Sequence, residues 1–124
     1  MDIKYKLEKG TATITGCDPK PTGDLIIPDA IDGFPVTSIG YGAFWGCSGL
    51  TSVTIGNIVT SIGTYAFQWC SGLTSVTLPS SITSIGYGAF WGCTGLTSVT
   101  LPSSITSIGN GAFPNHTVVT KETA

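Results

Sequence analysis

The residues best suited to chemistry are three cysteines and a histidine that recur at one spacing. Cys47, Cys70 and Cys93 are 23 residues apart, and His116 takes the next position in the series. Thiolates and imidazoles are ligands of tetrahedral zinc, where four ligands converge at about 2.0 to 2.3 Å. If the four residues lay on successive strands about 4.8 Å apart, they would form a line instead. We therefore predict buried thiols in a core column and no metal site.

Groups for acid–base catalysis are scarce. His116 is the only histidine, arginine does not occur, and residues 38–106 contain no carboxylate or amine. The aspartates of the chain all precede that stretch: Asp2, Asp18, Asp24, Asp29 and Asp32. General acid–base catalysis needs titratable groups held together in a pocket. We therefore expect no enzyme, no catalytic residue and no cofactor.

The charge balance limits the classes of partner. Only 10% of residues are charged and the formal net charge is -2, so no cationic surface is expected for nucleic acid or anionic lipid. The longest apolar run, Leu25 to Ile27, is far shorter than the roughly 20 residues of a membrane helix. We predict no nucleic-acid partner and no membrane insertion, and the first residues do not have the pattern of a signal peptide.

A repeat of 23 residues organises the chain. Its copies are 38–60, 61–83 and 84–106, followed by a partial copy at 107–124, and the first and third are identical at 17 of 23 positions. The shared pattern is S-I-G-x-x-A-F-x-x-C-x-G-L-T-S-V-T-[IL]-[PG]-x-x-[VI]-T. One copy cannot bury its own apolar side, so the copies must stack as coils of a solenoid.

Each copy predicts one strand and one tight turn. Leu50, Val53 and Ile55 have the L-x-x-L-x-L spacing of a leucine-rich repeat, and Gly56 ends that strand. The Ala-Phe pair of the motif predicts a short helical or 3-10 turn. The fold class expected is an α/β repeat solenoid, a short right-handed leucine-rich-repeat coil dominated by β-structure. Stacking would align one phenylalanine from each copy in a core column: Phe44, Phe67, Phe90 and Phe113.

Residues 1–37 depart from the repeat, and we interpret them as an N-terminal cap ahead of the repeats at 38–124. Alternating apolar residues before and after Glu8 to Gly10 predict a hairpin, and Leu25 to Pro28 resembles the strand of a degenerate repeat. The partial last copy leaves a coil end without a charged cap. Because an open coil end is adhesive, we predict a homo-oligomer formed through this C-terminal coil.

The motif I-G-x-x-A-F-x-x-C-x-G-L-T-S-V-T-L-P, with A-T-I-T-G and I-I-P-D-A-I-D-G-F-P-V-T-S-I-G ahead of it, resembles the BspA-type leucine-rich repeat, also called the Treponema pallidum type. The likeness covers about residues 10–117. Proteins of that family are mostly surface or secreted proteins of bacteria and some protozoan parasites, which adhere to host matrix proteins or to other cells. The resemblance implies binding outside the cell and carries over no catalytic residue.

The strand residues that alternate with the buried positions form a first candidate surface. They should lie as an uncharged hydroxyl lattice on the concave side of the coil, and we call them the hydroxyl face. They are Thr51, Ser52, Thr54, Thr74, Ser75, Thr77, Thr97, Ser98 and Thr100. Serine and threonine also suit an exposed strand that binds nothing. The threonine row resembles an ice-binding surface, but a curved lattice fits ice poorly.

Three Tyr/Trp pairs form a second candidate surface, which we call the aromatic ladder. The partners of each pair are four residues apart, a spacing that places both rings on one side of a helical turn. The pairs are Tyr41 with Trp45, Tyr65 with Trp69, and Tyr87 with Trp91, and the middle pair is shifted by one place in the repeat. Such rings stack on sugars, anchor a protein partner, or simply pack on one another.

These patterns predict a non-catalytic protein-interaction or adhesion module of a cell-surface or secreted protein. Its partner would be a host matrix or cell-surface protein. Two alternatives stay open: a glycan-binding module that uses the aromatic ladder, and a purely structural spacer.

Overall fold

The computed structural model describes residues 2–122; Met1, Thr123 and Ala124, at the ends of the predicted cap and partial copy, lie outside the described residues. The strands are β1 Asp2–Glu8, β2 Thr11–Asp18, β3 Gly23–Ile26, β4 Ala30–Ile31, β5 Phe34–Ile39, β6 Leu50–Thr54, β7 Ser61–Ile62, β8 Ser75–Thr77, β9 Ser84–Ile85, β10 Ser98–Leu101, β11 Ser107–Ile108 and β12 Val118–Lys121. None of these residues belongs to a helix that could span a bilayer.

Two rows of parallel strands run along the stack. One row pairs β2, β5, β7, β9 and β11 in that order, with β1 antiparallel to β2 at its outer edge. The other row contains β3, β6 and β8, followed by the pair β10 and β12. Equivalent residues of successive copies are partners, as Val53 with Val76 and Ser61 with Ser84. The chain is therefore the leucine-rich-repeat solenoid that the repeat predicts.

The core consists of columns of equivalent residues, one from each coil. Phe44, Phe67 and Phe90 are fully buried and stack with ring centroids 5.2 Å apart, and Phe113 continues the column at 5.3 Å. Leu50 forms a second buried column with its equivalents in the next two copies. Burying one such side chain stabilises the fold by about 1.5 to 3 kcal/mol, so each column contributes to the cohesion between coils. The predicted phenylalanine column is confirmed.

The Ala-Phe segment contains no helix among the described residues, and of the predicted helical or 3-10 turn only isolated turns with bonds three residues apart are present. This segment makes successive tight turns instead, as when the amide of Trp45 donates to the carbonyl of Gly42 at 3.1 Å. Every second amide donates to the next coil, so it cannot bond four residues back as an α-helix requires. The inter-coil bonds of the first copy are Gly42 to Thr64 at 3.0 Å, Phe44 to Ala66 at 2.7 Å and Gly46 to Gln68 at 2.7 Å.

At each end of the stack, strands from outside the three full copies continue the pairing. At the N-terminal side, β1 folds back on β2, and β2 pairs with β5 so that Ile14 lies beside Ile39. At the other side, β12 pairs with β10, and the buried Thr117 hydroxyl donates to the carbonyl of Leu96 at 2.6 Å. The strand edges that begin and end each row therefore lie outside the three full copies.

Candidate binding surfaces

The cysteines of the repeat form a buried column. Cys47, Cys70 and Cys93 are free thiols in the core. Cys70 Sγ donates to the carbonyl of Phe44 at 3.2 Å, and the thiol of Cys93 makes the equivalent bond one coil later at 3.1 Å. His116 is exposed, and no three His, Cys, Asp or Glu side chains among residues 2–122 are grouped to hold a metal ion. The thiols are thus core residues, as predicted.

The environment of this column keeps the thiols of Cys47 and Cys70 protonated. Hydrogen bonding to Cys70, together with burial, raises the pKa of Cys47 far above its usual range. The bond with Cys47 lowers the pKa of Cys70, but the bond with Cys93 and burial outweigh it and raise that pKa to about 12. Since the thiolate is the nucleophile and the metal ligand, neither residue is poised for covalent chemistry.

The hydroxyl face lies on the second row of strands. Eight of its nine members are exposed, and Ser52 is half-buried. Parallel pairing places Thr54 beside Thr77 and Ser52 beside Ser75. An open groove of about 350 Å³ crosses this face. Its lining is Thr74, Ser75, Val76, Thr77, Leu78, Ser98, Val99, Thr100 and Glu122.

An aspartate of the first coil adjoins this face. Asp24 Oδ1 accepts hydrogen bonds from Ser52 at 2.7 Å and from Thr51 at 3.4 Å. Two hydroxyl groups are thereby oriented toward the N-terminal side, while Thr74 donates to the carbonyl of Thr51 at 3.1 Å. The negative charge of the hydroxyl face is therefore confined to its two margins, at Asp24 and at Glu122.

The aromatic ladder follows the opposite, turn-bearing side of the coil. Tyr41 is 74% exposed, and Trp45, Trp69, Tyr87 and Trp91 are each between 43% and 51% exposed. The tyrosines touch edge to face from coil to coil, with ring centroids 5.8 Å apart for the first two and 5.5 Å for Tyr65 and Tyr87. The rings therefore pack on one another and still present one face to solvent.

The shift of the middle pair has a backbone cause. Tyr65 and Trp69 have φ angles of 57° and 63°, in the left-handed region that non-glycine residues rarely occupy. Glycines hold these two places in the first and third copies: Gly42 and Gly88 at 59°, Gly46 at 73° and Gly92 at 80°. Residues held in this region cost about 1 to 3 kcal/mol each and persist only when their surroundings compensate. The second copy accepts this strain at two positions.

The compensation is the packing of these two rings on glycines of the third copy. A Cβ added to Gly88 would come within 2.6 Å of Tyr65 Cε1, and one added to Gly92 would collide with the Trp69 ring. Each shifted ring therefore rests on a coil that has no side chain at that place. If all copies carried their rings at the same position, the rings would compete for the spacing of about 4.8 Å between strands.

A cleft lies between the first copy and the second copy, in which the Tyr65 ring is shifted. It has a volume of about 570 Å³ and is lined by Tyr41, Gly42, Trp45, Tyr65 and Gln68. Trp45 Nε1 donates to Gln68 Oε1 at 2.8 Å, which fixes both side chains. We call this space the aromatic cleft.

A lysine of the N-terminal segment lies beside the aromatic cleft. Lys20 Nζ is 5.5 Å from the centroid of the Trp45 ring, within the range of a cation–π contact. The same ammonium group lies 3.5 Å from the carbonyl oxygen of Gly46. The Trp45 ring of the first copy thus has a basic neighbour supplied by the N-terminal segment, whereas residues 61–106 themselves contain no charged side chain.

Several residues of these surfaces are absent from the sequence-based candidates, and three of them matter for the geometry. Gly42 and Gln68 belong to the aromatic cleft, and Asp24 adjoins the hydroxyl face. Gln68 had a signal, because it replaces the tryptophan found at its place in the first and third copies. Asp24 had none, since its contact with Ser52 bridges 28 residues outside the repeat.

Comparison with known proteins agrees with this geometry. Residues 31–123 match the BspA type leucine rich repeat region, with six copies. This chain belongs to the BspA-type leucine-rich repeat family. The resemblance inferred from the motif is thereby confirmed. No curated protein matches the sequence of this BspA-type chain.

Solved structures of other leucine-rich repeat proteins superpose on this BspA-type chain. A protein from Bacteroides capillosus is 32% identical with a TM-score of 0.87, over 96% of this chain and 93% of that one. The T. pallidum leucine rich repeat protein is 27% identical with a TM-score of 0.80, over 92% and 64%. A leucine rich cell surface protein from Faecalibacterium prausnitzii is 31% identical with a TM-score of 0.74, over 95% and 40%. The chain thus spans less than two thirds of the latter two proteins.

Proposed function

We propose that this chain is a protein-interaction module of the adhesion type, which binds through the hydroxyl face and performs no catalysis. The observation that carries the proposal is the register of that face: exposed serines and threonines of successive coils lie side by side on parallel strands. Parallel strands held by a packed core cannot rearrange freely, so these hydroxyl groups are presented to a partner in fixed positions.

The chemistry of the hydroxyl face favours a polar protein surface as partner. The hydroxyl groups of Thr51, Ser52 and Thr74 donate within the chain and accept from a partner, whereas the others both donate and accept. Between the two margins the face carries no charge. Association should therefore depend weakly on salt, because charge steering is absent. A few strands also span less area than a standard interface of about 800 Å² per partner. Weak binding by one module, strengthened by clustering, follows from that size.

A place at the cell surface or outside the cell is part of the proposal. One structural relative, at 31% identity, is a leucine rich cell surface protein. The family resemblance points the same way, since its members adhere to matrix proteins or to other cells. A matrix or cell-surface protein is accordingly the partner that we propose.

The test is binding to immobilised collagen, laminin and fibronectin, measured by biolayer interferometry with the module clustered on a multivalent carrier. Ser75→Arg and Ser98→Arg each place a large cation on the hydroxyl face. Ser80→Arg makes the same change at an exposed turn outside that face and serves as the control. We expect at least one matrix protein to bind, with loss on the first two substitutions only. Equal binding by all three variants, or no binding to any matrix protein, would refute the proposal.

A further inference from the structure

The third copy contains a place for a six-membered ring, which we call the seat. The ring of Tyr65, from the second copy, occupies it. The Tyr65 ring lies over Gly88, with its centroid 5.5 Å from that of Tyr87. Trp91 bounds the same place, since a Cβ on Gly88 would lie 3.5 Å from its Cε3. A glycine floor between a tyrosine and a tryptophan therefore accepts a flat ring of this size.

The equivalent place in the first copy has no ring in it and is more open, because Trp45 lies more than 4 Å from a Cβ built on Gly42, whereas Trp91 lies 3.5 Å from one built on Gly88. Gly42 has the same φ angle as Gly88, 59°, and stands between Tyr41 and Trp45 as Gly88 stands between its own Tyr and Trp. Leaving aside the adjoining residues, a Cβ added to Gly42 would meet no heavy atom within 4 Å. The aromatic cleft lies at this place. Comparison with the third copy therefore indicates that the cleft lacks a six-membered ring.

We infer that the aromatic cleft is a carbohydrate-binding site that seats one hexopyranose residue over Gly42. The apolar C–H face of a pyranose stacks on aromatic rings, and Tyr41, Trp45 and Tyr65 line the cleft. The rings are held before binding, because Trp45 bonds to Gln68 and the two tyrosines touch edge to face. Ordering these side chains therefore costs little when the sugar binds.

Polar groups at the rim favour a sugar over an aromatic side chain of a protein partner. Gln68 uses its oxygen to accept from Trp45, which leaves its amide N–H groups to donate to a sugar hydroxyl. The phenol groups of Tyr41 and Tyr65 both donate and accept. A phenylalanine ring in the cleft would satisfy none of these groups. Lys20, beside the Trp45 ring, adds a cation that favours a carboxylated sugar.

The experiment follows the indole N–H signals of the ¹⁵N-labelled chain by NMR. The probes are the methyl β-glycosides of glucose, galactose, N-acetylglucosamine and glucuronic acid. We expect at least one probe to shift the Trp45 signal with millimolar affinity, and glucuronoside binding to weaken as salt rises. Gly42→Asn, which tolerates the left-handed conformation but fills the floor, should reduce the affinity at least about tenfold, as should Gln68→Ala.

Gly111→Asn is the matched control, because Gly111 holds the place of Gly42 in the partial fourth copy, has a φ angle of 66° and does not line the aromatic cleft. This substitution should leave the affinity unchanged within about twofold. Three results would overturn the inference: no probe shifts Trp45 at about 50 mM, Gly42→Asn binds as well as the parent, or N-acetylphenylalaninamide binds more tightly than every glycoside. The site does not depend on the hydroxyl face, so Gly42→Asn should keep any matrix-protein binding that Ser75→Arg abolishes.

Discussion

The side chain of Tyr65 rests on Gly88 of the next coil, where a Cβ would lie only 2.6 Å from the ring edge at Cε1. Tyr65 itself has the left-handed φ that glycine has in the neighbouring copies. The two residues depend on each other. Tyr65 has a strained backbone conformation, and Gly88 has no side chain, so the Tyr65 ring fits between the two coils. Exposed rings of the aromatic ladder are thus fixed by the repeat and not by local helix geometry.

Gly88→Ala should destabilise the protein more than Gly42→Ala. Both glycines have φ of 59°, so both substitutions incur a left-handed penalty of about 1 kcal/mol or more. Only at Gly88 does the new methyl group also collide with the Tyr65 ring, which adds about 1 to 3 kcal/mol. Urea denaturation followed by circular dichroism measures the difference. Equal losses in the free energy of unfolding for the two variants would contradict this prediction, because they would show that the Tyr65 ring moves aside without an energetic cost.

Phe67→Ala should destabilise the protein more than Phe113→Ala. Phe67 is fully buried and stacked on both sides, whereas Phe113 is half-buried and stacks on Phe90 alone. Truncating a fully buried phenylalanine costs about 3 to 5 kcal/mol, and the exposed end of a column loses less surface and leaves no closed cavity. Denaturant midpoints of the two variants test this. A loss at Phe113 as large as that at Phe67 would contradict the columnar core.

Raising the pH should destabilise the fold through the cysteine column. The pKa values of Cys47 and Cys70 are raised above the ordinary 9.0, that of Cys70 to about 12. Below pH 9.0 folded and unfolded chains both keep these protons. Above it the unfolded chain loses them first, so the free energy of unfolding falls as pH rises toward the folded pKa, by at most about 1.4 kcal/mol per pH unit for each thiol.

The measurement is urea unfolding at pH 8 and at about pH 10.5 in the presence of a reductant. The double variant with Cys47→Ala and Cys70→Ala serves as the control, because all other ionisable residues are the same in both proteins. We expect a smaller pH-dependent loss in the double variant. The same loss in both proteins would mean that the two thiols ionise as readily in the folded chain as in the unfolded one.

Periodicity was sufficient to predict the buried columns. Residues such as Phe67 and Leu73 recur at 23-residue spacing, and stacking identical coils leaves no other place for them. The absence of a continuous helix at the Ala-Phe pair was not predictable, because sequence spacing does not reveal where amides donate. In this segment the amide of Phe44 bonds to the next coil at 2.7 Å, a partner that exists only in the assembled stack.

The binding surfaces were predictable as sets of residues but not as shapes. The shift of Tyr65 and Trp69 is visible in the sequence, yet its meaning depends on a positive φ and on the rings lying over Gly88 and Gly92. The aromatic cleft depends on an internal comparison between copies, because the feature that matters at Gly42 is the absence of a covering ring. Such an absence becomes visible only when the copies are compared in three dimensions.

The last prediction concerns the edge of β12, where self-association of the 124-residue chain is expected. All four residues of β12 are exposed, and Val118 and Val119 are 62% and 43% exposed. The amides of Val118 and Glu122 donate to Thr97 and Leu101 of the preceding coil, so the amide of Val119 faces the other edge of the strand. An unpaired strand edge with apolar side chains can accept a strand of a second molecule.

Sedimentation equilibrium between about 5 and 500 μM should show a weight-average mass that rises with concentration. Val119→Pro removes the outward amide, which is tolerated on an edge strand, and should reduce the association. Thr106→Pro would not test this edge, because the amide of Thr106 donates to the carbonyl of Thr83 at 2.9 Å within the stack. Val119→Lys, a charge on the same edge, supplies the second variant. A constant monomer mass for the parent chain over this range would remove the prediction.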